Sequence, residues 1–218
     1  GNASIVGWIT SAVMFGAIFG GALAGQLSDH LGRRKVILYS AIIFALGSIL
    51  SGVAPHNGAL FLVIVRMFLG LAVGAASALV PAYMSEMAPA KMRGRLSGLN
   101  QTMIVSGMLL SYVMDFVLKD LPGTWAWRTM LALAAVPAII LFLGVLRLPE
   151  SPRFLLQNGD ETSARHVLGM IRSTQQEIDE ELSQIKATAK EEKAAAAHVS
   201  YKMLFSKKYR YLVIAGVG

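Results

Sequence analysis

Two polar side chains lie inside segments that are otherwise apolar over the length of a membrane span. Arg66 lies well inside one such segment, and Gln101 lies beside Asn100 near the opening of the next. Charged and amide groups are expensive to place in lipid, so their presence there indicates a function by default. The sequence therefore predicts that Arg66 and Gln101 line a pathway for a solute.

Three groups of charged residues lie near the ends of these apolar segments. They fall within GQLSDHLGRRK (25–35), PAYMSEMAPAKMRGRL (81–96) and PESPRFLL (149–156). Each charge alone could be solvated, because an exposed ion pair contributes only about 0–1 kcal/mol. Since all three groups are expected at one level of the membrane, we predict a gate network that holds one conformation and breaks in another. Its predicted members are Asp29, Arg33, Arg34, Glu86, Arg93, Glu150 and Arg153.

Five apolar blocks must position these residues, and each has about the twenty-residue length that spans a bilayer. The chain has 218 residues, of which 55% are hydrophobic and 15% charged, whereas a soluble domain carries about a quarter charged residues. The predicted fold class is therefore an all-α membrane protein. We expect the third block to break at Pro81, so that Glu86 lies in a short polar hinge. The blocks are roughly 4–27, 36–54, 59–83, 97–118 and 127–146, and a sixth apolar run begins near Tyr211.

Lys and Arg residues are distributed unevenly between the connecting segments. They follow the first and third blocks and are frequent in the long polar stretch, whereas the segment after the second block has none. The positive-inside rule places basic segments in the cytoplasm. We predict five membrane helices over 1–148, a cytoplasmic helical linker domain over 149–209 and the start of another membrane helix over 210–218. Within the linker, Asp160 and Ser173 are candidate helix N-caps.

Glycine pairs with G-x-x-x-G spacing recur in the first and third blocks. They are Gly16–Gly20, Gly21–Gly25 and Gly70–Gly74. This spacing lets two membrane helices approach closely. Helix packing is the role we predict for them, and close packing is also what a transporter with moving helices needs.

Several classes of function lack support in the sequence. The four histidines are scattered and cysteine is absent, so we expect no catalytic or metal-binding cluster. The phosphate-binding pattern G-x-x-x-x-G-K-[ST] does not occur. The basic residues flank apolar spans instead of forming a surface with interleaved aromatic residues, which argues against nucleic acid. We expect a protein that is not an enzyme, holds no cofactor or metal, and has the lipid bilayer as its surroundings.

Four strings of this sequence resemble the sugar porter family of the major facilitator superfamily. They are GQLSDHLGRRK, RMFLGLAVG, PAYMSEMAPAKMRGRL with the following Gln101, and PESPRFL. His30 stands where that family often has arginine, which would weaken the gate network slightly. The resemblance implies twelve membrane helices in two halves, with the present blocks as helices two to six. The intracellular helical domain and the start of helix seven would follow. Helix one and the C-terminal half of the same protein are then expected partners, and the chain is expected to be an internal piece.

The resemblance also implies roles for single residues. The glutamine at the position of Gln101 hydrogen-bonds sugar hydroxyls in that family, and an amide with two donors and an acceptor suits such hydroxyls. The arginine at the position of Arg66 pairs with an acidic residue of helix one in proton-coupled members. The alternative for Gln101 is a hydrogen bond from its side-chain amide to another helix. The alternative for Arg66 is contact with the membrane interface.

From these features we expect a secondary carrier for a monosaccharide or polyol in the plasma membrane. It would work by alternating access, with proton symport as the expected coupling and facilitated diffusion as the alternative. Two further alternatives remain: a carrier of organic ions or drugs from the same superfamily, and a sugar receptor that binds without transport.

Overall fold

The computed structural model describes residues 2–55, 58–89, 92–120, 122, 125–172 and 174–198, and the side chains of residues 2, 3, 93 and 192–198 are not part of that description. Regular structure within these ranges is entirely helical. The helices in chain order are α1 (Asn2–Leu31), α2 (Arg33–Gly52), α3 (Ala59–Met87), α4 (Arg93–Leu118), α5 (Trp125–Leu133), α6 (Ala135–Leu146), α7 (Pro152–Gln157), α8 (Glu161–Ile171) and α9 (Gln175–His198).

Five helical segments of the described chain are long and apolar enough to cross a membrane. They confirm the five predicted blocks and extend several of them by a few residues. The fifth segment, Trp125–Leu146, is interrupted by a turn at Ala134 between α5 and α6. Pro137 explains the interruption, since proline has no N–H to donate to the carbonyl of Leu133. The predicted sixth run near Tyr211 lies outside the described residues.

The helix that contains Pro81 does not break there, and the prediction of a hinge at Pro81 is wrong. α3 continues through Pro81 to Met87, so Glu86 lies in the last turn of a helix. The helix ends instead at Ala88, which has an extended backbone with φ −75° and ψ 136°. Ala88 precedes Pro89, and a residue before proline is driven away from helical geometry.

α1 and α3 pack closely through glycines. A Cβ atom at Gly16, Gly20, Gly70 or Gly74 would overlap a main-chain carbonyl of the facing helix. These four positions confirm the predicted packing role. The pair Gly21–Gly25 does not share it, because a Cβ at Gly21 would make only an ordinary contact and one at Gly25 would meet nothing.

The chain divides into two compact units, one ending at Phe154 and the other beginning at Leu155. In the first unit a buried apolar cluster joins α1, α2, α3 and α6. In the second unit, α8 and α9 share a small core formed by Ala164, Leu168, Ile178 and Leu182. The division into 1–148, 149–209 and 210–218 stays a prediction, and its last segment lies outside the described residues.

Ion pairs and caps complete the α8–α9 pair. Arg165 pairs with Asp179 at 2.7 Å, and Lys186 pairs with Glu161 at 2.7 Å. Asp160 accepts a hydrogen bond from the Ser163 N–H at 3.0 Å, which confirms the first predicted N-cap. Ser173 lies outside the described residues.

We predict that Gly70→Ala destabilises the protein, whereas Gly144→Ala does not. The new Cβ at position 70 would overlap the carbonyl of Val13, whereas a Cβ at Gly144 would meet nothing within 4 Å. Overpacking of this kind lowers the free energy of unfolding by about 1–3 kcal/mol. Thermal unfolding of both variants in detergent measures the difference. Equal melting temperatures would contradict the packing described for α1 and α3.

We also predict that the cap of α8 weakens in acid. Hydrogen bonds from Ser163 lower the pKa of Asp160 below its ordinary value. The stabilisation is therefore present above the ordinary carboxyl pKa of about 3.9 and is lost as the pH falls through the lowered value. The protection factor of the Ser163 amide, which is its intrinsic exchange rate divided by its observed rate at the same pH, should fall on acidification. Asp160→Asn should keep the cap and remove that fall, because Asn also caps helices but does not titrate.

Candidate functional site

The charged groups that the sequence singles out converge where α2 begins and α3 and α6 end. We call this level of the first unit the basic end. Arg33 and Arg34 are the first two residues of α2, and Glu86 lies in the last turn of α3. Glu150 follows α6 after a short turn. Three helix ends therefore bring these side chains together from distant parts of the sequence.

Glu86 is the centre of one half of this arrangement. Its carboxylate oxygen Oε2 lies 2.8 Å from Nε of Arg33. The same oxygen accepts a hydrogen bond from the hydroxyl of Ser151. Arg33 is only 8% exposed, so this ion pair is shielded from water. Arg153 interacts electrostatically with Glu86 as well.

Glu150 and Arg34 form the other half. Glu150 contacts the N-terminal end of α2, and Arg34 contacts the C-terminal end of α6. Glu150 Oε1 accepts the backbone N–H of Arg34 at 3.0 Å and that of Ser151 at 2.9 Å. The Arg34 guanidinium donates to the carbonyls of Val145 at 3.3 Å and Leu146 at 2.8 Å. A carboxylate thus meets the N-terminus of α2 and a guanidinium meets the C-terminus of α6, and both signs agree with the helix dipoles.

Gly32 makes these contacts of Glu150 and Arg34 possible. Its φ of 96° lies in the left-handed region that favours glycine. A Cβ at this position would also overlap the carboxylate of Glu150. The glycine of the G-R-R string is therefore needed for the turn and for the approach of Glu150.

Two uncharged residues of the site were missed by sequence reasoning. Ser151 is fully buried and donates to Glu86. Tyr83 is 5% exposed, and its hydroxyl donates to the carbonyl of Pro149 at 2.5 Å. Both lie inside strings that carried charged candidates, PESPRFLL and PAYMSEMAPAKMRGRL. The available signal was their position beside charged residues, since Ser151 follows Glu150 and Tyr83 precedes Glu86 by three residues.

The basic end does not bring together every predicted member of the gate network. Arg33, Arg34, Glu86, Glu150 and Arg153 are there. Asp29 is exposed in the last turn of α1 and makes no hydrogen bond or ion pair with the rest of the described chain. Arg93 begins α4, but its side chain is outside the description.

Gln101 and Arg66 lie on separate helices. Gln101 is exposed on α4, and no hydrogen bond joins its amide to another described residue. Arg66 is half-buried on α3, and its Nε atom is buried without a hydrogen-bond partner among the described residues. Both polar groups are therefore uncommitted in this part of the chain.

The packing of α4 against α3 determines on which side of α4 Gln101 lies. From Gly94 to Leu118 only four side chains of α4 are half-buried, and all others are exposed; the four are Leu96, Asn100, Met114 and Leu118. Leu96 and Asn100 are four residues apart and line a cleft of about 90 Å³ together with Pro81 and Met84 of α3. Because successive helical residues are about 100° apart, the neighbouring Gln101 lies to one side of this contact, where its side chain is exposed.

Comparison with known proteins gives consistent relatives. A family model described as "Sugar (and other) transporter" matches residues 2–218. The D-xylose transporter of Levilactobacillus brevis is 44% identical over 213 residues, which are 97% of this chain and 45% of that protein. The major myo-inositol transporter IolT of Bacillus subtilis (strain 168) is 41% identical over 220 residues, which are 100% of this chain and 46% of that protein.

Solved structures of similar shape include those of a xylose transporter. XylE from E. coli in a partially occluded inward open conformation matches with a TM-score of 0.80 and 30% identity, over 88% of this chain and 50% of that chain. The proton:xylose symporter XylE bound to 6-bromo-6-deoxy-D-glucose matches with a TM-score of 0.80 and 29% identity, over 87% and 44% of the chains. The predicted partial major facilitator fold is confirmed. The chain spans half the length of these relatives or less.

We predict that Glu86→Gln lowers the free energy of unfolding by about 3 kcal/mol, because it leaves a shielded guanidinium without its counter-charge. Thermal unfolding of the full-length protein measures this effect. The double variant Arg33→Met with Glu86→Met should be more stable than either single variant, since it removes both charges. Losses that simply add in the double variant would show that the two side chains are not coupled.

Proposed function

Since the chain belongs to the sugar (and other) transporter family, we propose that the whole protein carries a monosaccharide or polyol by alternating access, driven by protons. The observation that carries the proposal is the family match over residues 2–218. The named relatives that support it are transporters of D-xylose and myo-inositol. A glucose transporter of Staphylococcus epidermidis, 42% identical over 185 residues covering 85% of this chain and 40% of that protein, adds a hexose to these substrates.

Gln101 is the proposed sugar contact within this chain. Its amide is exposed and has no hydrogen-bond partner among the described residues. One amide offers two N–H donors and a carbonyl acceptor, which match the mixed donor and acceptor character of sugar hydroxyls. Apolar neighbours on the same face, such as Val105 and Met108, would contact the C–H surface of the sugar.

Arg66 is the proposed link to proton coupling. A half-buried arginine inside a membrane span needs an acceptor, and its Nε atom has none in the described chain. We propose an acidic residue on another helix of the whole protein as that acceptor. Protonation of the acid would release the arginine and so connect proton binding to the conformational change.

The basic end is the proposed gate. Five predicted gate members meet there, through the Arg33–Glu86 ion pair, the helix-end contacts of Arg34 and Glu150, and the interaction of Arg153 with Glu86. Asp29 and Arg93 would join when the other half of the protein is present. The positive-inside rule supports a cytoplasmic position for the basic end, with the protein in the plasma membrane. Contacts of this level with the other half would close the inward side and separate when the carrier opens inward.

Uptake by the full-length protein in vesicles tests the proposal. Labelled D-xylose, glucose and myo-inositol are offered with and without an inward proton gradient. We expect uptake of one sugar that rises with the gradient. Gradient-independent uptake would replace the symporter with a facilitated carrier, and absence of uptake of all three by correctly inserted protein would overturn the proposal.

Gln101→Ala should raise the KM for the carried sugar about tenfold, because about two hydrogen bonds to hydroxyls are lost. Thr102→Ala is the matched control on the same helix, since the Thr102 hydroxyl donates to the Gly98 carbonyl at 3.0 Å and is already satisfied. Initial uptake rates across a range of sugar concentrations give both KM values. An unchanged KM in Gln101→Ala would exclude Gln101 from the binding site.

A further inference from the structure

An arginine outside the gate makes the same type of contact at the opposite end of the bundle. The Arg128 guanidinium, on α5, donates to the carbonyl of Gly52 at 3.2 Å and to that of Ala54 at 2.6 Å. Gly52 is the last residue of α2, and Ala54 follows the C-cap residue Val53. The guanidinium also lies 4.9 Å from the ring centroid of Trp127. The contacts of this half-buried guanidinium are thus with main-chain carbonyls and a neighbouring aromatic ring.

Arg34 and Arg128 therefore form a reciprocal pair. α2 runs from the basic end to the opposite end, and the α5–α6 segment (residues 125–146) returns. Arg34 of α2 caps the carbonyl end of α6, and Arg128 of α5 caps the carbonyl end of α2. In both places a positive charge meets the negative end of a helix dipole, and a charged donor makes the stronger type of hydrogen bond.

The bilayer makes these caps consequential. The last four carbonyls of a helix have no partner within that helix, and water is scarce beside lipid to replace one. Near Arg128, α2 and α5 are also in close contact. A Cβ at Gly52 would lie 2.9 Å from Cβ of Ala132 and 2.9 Å from the Arg128 carbonyl. Separation of the segments would expose carbonyls and lose this packing together.

We infer that Arg128 is a positioning residue which, with Arg34, fastens α2 to the α5–α6 segment at both ends, so that the two segments move as one body during transport. Arg34 is then a fastener within the gate level instead of a switching member, because its side-chain bonds go to main-chain atoms of a neighbouring helix. The statement about movement rests on the proposed carrier function; the statement about fastening does not.

Thermal unfolding of the full-length protein tests the fastening. Arg128→Met should lower the melting temperature by about 4 °C. Arg128→Lys should lie between Met and the native residue, since one ammonium replaces a fork that reaches two carbonyls. Arg147→Met is the matched control, because Arg147 is exposed and no side-chain hydrogen bond or ion pair joins it to the described chain. Equal melting temperatures for Arg128→Met and Arg147→Met would overturn the inference.

A disulfide tests the movement. Ile37→Cys with Val145→Cys would join the segments within the buried cluster that both residues share, in a full-length protein whose other cysteines are replaced. We expect oxidation to leave sugar uptake unchanged, because the joined segments do not separate. In the Arg128→Met background, Vmax should be reduced with KM unchanged, and oxidation should restore Vmax. Uptake lost on oxidation and regained on reduction would overturn the inference of one body.

The two proposals fail in different ways. If the cysteine pair prevents folding, the melting temperatures of the Arg128 variants still test the fastening. If the native protein carries no sugar, the carrier function fails, yet the order of melting temperatures for Arg, Lys and Met at position 128 still decides the fastening.

Discussion

The unpaired carbonyl groups at the end of a membrane helix are the constraint on which this structure depends. Each helix leaves four such groups, and lipid offers them nothing in exchange. In this chain two of the ends are satisfied by arginines from a neighbouring helix, and Tyr83 donates to the Pro149 carbonyl just beyond one of them, the end of α6. The same side chains that satisfy the backbone thereby determine which helices are neighbours.

The position of the acidic residues follows from that arrangement. Arg34 can reach the end of α6 only if the chain turns sharply at Gly32, and the turn leaves the N-terminus of α2 open to Glu150. Ser151 is then placed against Glu86, which holds Arg33. A structural requirement for helix ends and a group of charges suited to gating are consequently one set of contacts.

The sequence allowed the number and limits of the spans to be predicted, because apolar length is set by the bilayer and is visible residue by residue. It also singled out five charged residues that meet at the basic end, whose role as a gate stays a prediction. It did not show which charges meet, since Asp29 and Arg33 are four residues apart and only Arg33 faces α3. The continuation of α3 through Pro81 was missed because a long helix, unlike a short one, retains enough other hydrogen bonds to tolerate a proline. The interruption of the helix at Ala134 could have been inferred from Pro137, whereas the roles of Tyr83 and Ser151 required tertiary contacts.

Gln101 and Arg66, the proposed substrate and coupling residues, differ from the gate residues at the basic end because they are polar groups without partners in the described chain. Counterflow in vesicles made with the full-length protein tests the central claim, a sugar carrier, most directly. Vesicles are loaded with unlabelled sugar and diluted into a trace of labelled sugar without a proton gradient. A carrier predicts transient accumulation of label inside above the outside concentration, because alternating access exchanges the two pools. Sugar binding without such accumulation would contradict the account and indicate a receptor.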